Sequence, residues 1–493
     1  MNDARRAWTH GRVAAHLDVL NIPARSGELA THYHHARMRA HALRHALAGA
    51  RIAEKTGGFA EAARLFAVAR EDTDDPRILA RITARLARLR YVSRDVVEGP
   101  ECLTDAAIQL RNVQRLESAL VADILRVDLL ASEGSRSPRE AAAVIRELGR
   151  AAGEQGHWKA SAKAIELELH IHRRDGHGPE ADQVAARARA LLDRVAPKSP
   201  GPLHAILALH HQGDLDAGLG HAREAIAIAR RKRAPDELLR ALVRLVAIQG
   251  ARGLITDPEV TSAVEEGETL GGNRDDFVDH YNLLISAGTG YRALGRLDEA
   301  RNWFAKAGPL LAGVNVCEAH VALECRMGEL ALEARELDLA AAHFARARQL
   351  WTPGMGRHLG IISHSGVSLT ALRMGEMSVA REMVGDIPEP PASWFEDPWV
   401  FALFTARLCE WRGAISEGVD AVSNIATLIE ASQPAHWARL KFEEALLRLR
   451  HSLPQRYEVA ETAAEATASL GIDHRVKLLE AALQRARWPR MAG

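Results

Sequence analysis

The sequence predicts an all-α fold, a right-handed superhelical solenoid of about eleven helix-turn-helix repeats over residues 28–493. Three observations carry this expectation. Four stretches, Gly295 to Ala300, Arg335 to Ala340, Gly375 to Ala380 and Gly413 to Gly418, superimpose at shifts of 40, 40 and 38 residues. Phe304, Phe344, Val384 and Val422 follow their last residues at a fixed distance, and Ala307, Ala347, Ile387 and Ile425 follow those. Hydrophobic residues make up 47% of the 493 but aromatics only 5%. An alanine-rich core of that kind suits closely packed helices, because alanine is small and the best helix former.

Residues 1–27 precede the repeats and read as a junction segment. The first repeat signal is weak and runs from Gly57 to Ala62, followed by Phe66 and Ala69. Ala106, Ala141, Ala181, Gly218, the stretch Val260 to Ala263, and Ala460 hold the same phase. In the clearest unit, Asn282 to Arg292 is the first helix, with Leu284, Ala287, Gly288 and Tyr291 on one stripe. Leu294, Gly295 and Arg296 make the turn, where glycine suits a helix end. Leu297, Ala300, Phe304 and Ala307 line the second helix, and Phe304 fills the groove between units. A hairpin of this size cannot bury its own apolar face and needs a neighbour on each side. The last helix, Arg475 to Arg487, caps the array.

Gly288, Tyr291, Ala300, Phe304 and Ala307, then Gly328, Ala331, Ala340, Phe344 and Ala347, resemble the tetratricopeptide repeat. The period is nearer 40 than the usual 34, and the closing proline is mostly missing, so the units are more similar to the longer repeats of the maltose-regulator type. The order Arg5-Arg6-Ala-Trp8, Val13 to Leu20, Glu28 to Tyr33 and Ala42 to Ala46 resembles the stretch that follows the winged-helix portion of STAND-type signal-transduction ATPases. No G-x-x-x-x-G-K-[ST] loop occurs, so nucleotide hydrolysis is not carried over.

Basic and acidic residues balance at 64 each, so no global field draws the chain to nucleic acid or to an anionic membrane. Cys102, Cys317, Cys325 and Cys409 have no paired spacing and read as reduced core thiols. No run of 18 apolar residues occurs, and the expected compartment is the cytoplasm.

Chemistry-bearing clusters are few. His32, His34, His35, His41 and His45 are the densest set, and on one helix His34, His41 and His45 would share a face, which makes a transition-metal site conceivable. Without a HExxH, a suitably spaced carboxylate or a cysteine, no metal or cofactor is assigned. His320 with Glu324, and Glu266 with Glu268, read as solvated helix faces rather than acid–base pairs. Ser363-His364-Ser365-Gly366 lacks the glycines and strand of a nucleophile elbow. Arg230 to Arg233 and the arginines of 81–90 read as charged helix faces rather than a nucleic-acid surface.

The aromatic stretch Trp394 to Phe404, behind Pro388-Glu-Pro-Pro391, is either a binding pocket or inter-repeat core, with core favoured. By resemblance, such arrays bind along the face made by the first helix of each unit. Projecting the repeat phase places Asn282, Thr289, Arg292, Glu329, Glu333, Arg373, Arg407, Glu410 and Trp411 there, with Trp394 as an added candidate. The expected function is a non-catalytic protein-interaction or effector-sensing scaffold in bacterial signal transduction, taking a peptide or protein segment in the groove. The rival is a small-molecule sensing arm of a transcription regulator or kinase-linked ATPase.

Overall fold

The computed structural model describes residues 3–20, 22–55, 58–133, 137–195, 200–210, 214–272, 277–312, 318–383, 387–388 and 398–487. Among them are twenty-five α-helices. Helix α1 (Asp3–Val19) and α2 (Ser26–His35) come first. Hairpins then follow in chain order: α3 (Arg39–Lys55) with α4 (Phe59–Glu71), α5 (Pro76–Val92) with α6 (Gly99–Asn112), and α7 (Leu116–Glu133) with α8 (Pro138–Glu154). Next are α9 (Trp158–Arg174) with α10 (Gly178–Val195), α11 (Gly201–Leu209) with α12 (Leu215–Lys232), and α13 (Pro235–Ala251) with α14 (Pro258–Gly272). The series continues through α15 (Phe277–Ala293) with α16 (Leu297–Ala307), α17 (Glu318–Glu333) with α18 (Leu337–Leu350), and α19 (Arg357–Met374) with α20 (Met377–Met383). It ends with α21 (Trp399–Arg412) and α22 (Ile415–Ile429), then α23 (Pro434–Arg450) and α24 (Arg456–Ser469), and a final helix α25 (Asp473–Arg487). This is an all-α array of eleven hairpins followed by a single helix, which begins two residues before the expected Arg475.

Local sequence sets the helix ends. Asp75 caps α5 by accepting from the backbone N–H groups of Arg77 and Ile78, with Pro76 at the first helical position. Ser137 and Glu140 close a capping box on α8. Where a hairpin turn is described, one residue near the end of the first helix adopts a left-handed conformation: Arg94, Gly176, Gly253, Gly295, Arg335, Gly375, Gly413 and Ser452. The next residue's N–H reaches back five positions, as from Arg296 to the Tyr291 carbonyl (3.0 Å) and from Glu376 to Ala371 (2.8 Å). This Schellman closure satisfies carbonyls that the helix end leaves over. Four of these residues are the ones that began the superimposed stretches. At Arg335 the same turn (φ 63°) is made without glycine, which costs about 1 kcal/mol.

The small residues land where the second helices must come close. Ala62, Ala141, Ala181, Gly218, Ala300, Ala340, Ala380 and Gly418 are each the fourth residue of a second helix, and all are buried. In α6 the fourth position is Cys102, so the expected Ala106 sits one turn deeper, although still buried. Helix α15 begins five residues before the expected Asn282. Val384 and Cys317 lie outside the described residues.

Two compact units form. The first comprises Met1–Glu168, Thr269–Val278 and Leu310–Val316. Its apolar core between α5, α6 and α7 is made by Ala87, Leu103, Ala106, Ala107, Ala122 and Leu129. Buried Glu54 accepts two bonds from Arg85, and buried Asp128 accepts from Tyr91 and Arg94.

The second unit comprises Leu169–Glu268, Asp279–Pro309 and Cys317–Gly493. Phe344 is fully buried and faces two glycines. A Cβ added to Gly328 or to Gly366 would come within 3.0 Å of its ring, and Gly288 stands to Phe304 in the same way. Gly288 and Phe304, and Gly328 and Phe344, are among the residues on which the tetratricopeptide resemblance rests, and Gly366 comes from the next repeat. Trp399, Val400 and Phe404 belong to the same core as Phe344. The described part of the aromatic stretch is therefore inter-repeat core.

Candidate functional site: a row of helix ends in the second unit

The last turns of α15, α17, α19, α21 and α23 carry a row of charged side chains. Cations are favoured at such ends, where backbone carbonyls point out unpaired. Arg292, Arg373 and Arg450 occupy these positions, and Arg407 sits one turn earlier on α21.

Half of this row is closed. Arg292 and Glu329 are completely buried, and the Arg292 guanidinium lies 3.2 Å from Glu329 and 3.9 Å from Glu333. Arg326, one turn before Glu329, donates to the same Glu329 oxygen (2.9 Å). Glu333 then receives two arginines from far along the chain. Arg439 of α23 donates to its Oε2 and Arg475 of α25 to its Oε1, each at 2.5 Å. The Arg439 guanidinium also lies over the Trp399 ring, 3.6 Å from its centroid, which adds a cation–π attraction. Burial pushes the Glu333 carboxyl up, yet Arg439, Arg475 and Arg292 outweigh it and hold the group below the usual carboxylate range.

The other half is open. Glu410 on α21 accepts from Arg407 (2.6 Å), Arg450 (3.0 Å) and His451 (2.6 Å). Burial raises this carboxyl, but His451, Arg407 and Arg450 lower it by more. Trp411, next in sequence, is 42% exposed. Arg373 reaches the Leu332 carbonyl at 3.5 Å from an exposed position.

Of the residues projected onto this face, Arg292, Glu329 and Glu333 come together, as do Arg407 and Glu410, with Trp411 beside them. Asn282 and Thr289 are half-buried on α15. Trp394 lies outside the described residues. Sequence reasoning missed Arg439 and Arg475, which stand 106 and 142 residues from Glu333. No local spacing signals a contact of that range.

The histidine cluster divides. The helix expected to align His34, His41 and His45 breaks at Arg37 (φ 56°), which separates α2 from α3. His34 instead bonds Asp72 (2.9 Å), while His41 and His45 flank the Tyr33 ring. His32 joins His10, Nδ1 to Nδ1 at 2.8 Å. Among the described residues no group of three His, Cys, Asp or Glu could hold a metal ion. The carboxylates Glu266 and Glu268 are paired with Arg230 and Lys306. Glu324 is paired with His343. Ser363, His364 and Ser365 are buried in mid-helix, and the Ser363 hydroxyl donates to the Gly360 carbonyl. Among the described residues no helix is long and apolar enough to cross a membrane.

A second histidine pair, His204 and His221, joins α11 to α12 with Nδ1 atoms 3.0 Å apart. One ring nitrogen must donate and the other accept, so the pair cannot carry protons on both of these atoms. Burial holds His204, His221, His210 and His280 below their ordinary value. Above pH ~6.5 the folded and unfolded chains are both neutral at these rings. Below it the unfolded chain takes up protons that the fold refuses, so stability falls with pH. The urea midpoint is expected to drop steadily from pH 7 to 5. His210, only 3% exposed, contributes a slope of up to about 1.4 kcal/mol per pH unit. A midpoint unchanged across that range would refute the assignment.

No family profile matches the sequence, and no curated protein matches it. Solved structures do. A human IFIT1 dimer with m7Gppp-AAAA is 13% identical, with 84% of this chain and 90% of that one covered at a TM-score of 0.45. The APC/C hetero-tetramer Cut9–Hcn1 is 12% identical, covering 96% and 92%, with a TM-score of 0.46. Yeast Tom70 is 14% identical, covering 91% and 97%, with a TM-score of 0.34.

Proposed function

We propose that this chain is a non-catalytic protein-interaction scaffold that takes a peptide or protein segment along the row of first-helix ends in the second unit. The observation that carries the reading is the open end of that row. There Trp411 is exposed beside Arg407, Glu410, Arg450 and His451. An accessible aromatic among organised charges supplies both an anchor and an orienting field for a partner. The mixed signs favour a polar segment over a uniformly charged polymer such as nucleic acid. Resemblance of residues 1–27 and of the repeats to STAND-type ATPases gives the finer reading of an effector-sensing arm in cytoplasmic bacterial signalling.

Quantitative affinity capture from source lysate tests the proposal. Wild type is compared with Trp411→Ala and Arg450→Glu at equal helicity by circular dichroism. A partner whose recovery falls at least tenfold with both variants is expected. Partners recovered equally by all three proteins would sink the idea.

A further inference from the structure

We infer that α23, α24 and α25 form an intrachain clasp, closed on α17 through Glu333, that governs access to the buried half of the row. The inference rests on the scaffold reading above for its purpose, but not for its geometry.

The clasp is one packed block. Phe442, Ala445, Leu449, Ala460, Ala463 and Leu479 bury one another between the three helices. Arg439 and Arg475 both leave this block to reach the two oxygens of the same carboxylate. The Arg475 guanidinium lies 5.8 Å from the Phe442 ring centroid, which ties its position to the block. A second, apolar point of closure lies in the α13–α14 turn. A Cβ added to Gly253 would strike the Leu470 side chain that follows α24, and Gly253 also has φ +80°. These two points join helices that follow one another at long range, whereas hairpins in an array ordinarily touch only their neighbours.

Such a closure is able to switch. A carboxylate shared between two incoming arginines is lost as a unit when it is neutralised, since both bonds end on the same group. Release of the block uncovers Glu333 and the Arg439 face of Trp399, which stands at the opposite end of α21 from Trp411. A partner reaching Glu333 can do so only after the block has moved.

Hydrogen exchange of the full-length chain tests the clasp without any partner. Glu333→Gln keeps the shape of the side chain and removes its charge. It is expected to speed exchange across residues 434–487 at least tenfold while leaving α5 to α8 unchanged. Gly253→Ala, at the apolar point, is expected to speed the same segment. Unchanged exchange in 434–487 for both variants overturns the inference. Equal acceleration over all of the second unit also overturns it, because Glu333 would then be ordinary core. The capture experiment on Trp411 and Arg450 reads the scaffold proposal separately, so either can fail alone.

Discussion

Phe344→Ala is expected to lower the stability of the second unit by about 3–5 kcal/mol, the usual cost of emptying a buried aromatic site. The ring is 0% exposed and lies against Gly328 of its own hairpin and Gly366 of the next. Neither glycine has a side chain that can swing in to fill the space, so the site collapses poorly and the cost belongs at the upper end. Urea unfolding followed by tryptophan fluorescence measures it. The reverse change, Gly366→Ala, overpacks the same contact and costs about 1–3 kcal/mol. A loss under 1 kcal/mol for Phe344→Ala would mean that the two glycines do not hold the ring as described.

Arg292→Leu is the second large effect, also about 3–5 kcal/mol. The substitution removes one cation from a site where both Arg292 and Glu329 are fully buried. Glu329 then keeps the Arg326 bond, and Glu333 keeps Arg439 and Arg475. The loss therefore comes from burying carboxylate charge with less compensation, not from lost apolar area. Adding Glu329→Leu to Arg292→Leu should cost less than Glu329→Leu costs alone, because the Arg292–Glu329 pair is already broken. If the double variant were less stable than the wild type by the full sum of the two single changes, the ion pair would not be the source.

The hairpin series was legible because each repeat signal is local. Small residues at helix crossings, glycine at helix ends and phenylalanine one turn on recur within a span that one hairpin covers. Even Arg335, which breaks the glycine pattern, was found from its neighbours. The candidate face was legible only in part. Phase alone placed Arg292, Glu329, Glu333, Arg407 and Glu410 on one row, since first helices repeat in register. Phase could not tell which of them are sealed, because the sealing arginines come from α23 and α25 rather than from adjacent repeats. The shared face of the histidine cluster fails to form for the opposite reason. Three rings at helical spacing are aligned only if the helix continues, and a left-handed Arg37 ends it.

Glu333 also imposes an order in time. A ribosome adds roughly 5–20 residues per second, and the arginines that will hold this carboxylate lie 106 and 142 residues downstream. By that rate Glu333 waits roughly 7–28 s after its own synthesis before both partners exist. The early hairpins close from neighbouring residues as they emerge, but the segment from α15 to α21 must remain unfinished, with an acid that needs water. Completion of the second unit is thus deferred until the final helix has left the ribosome.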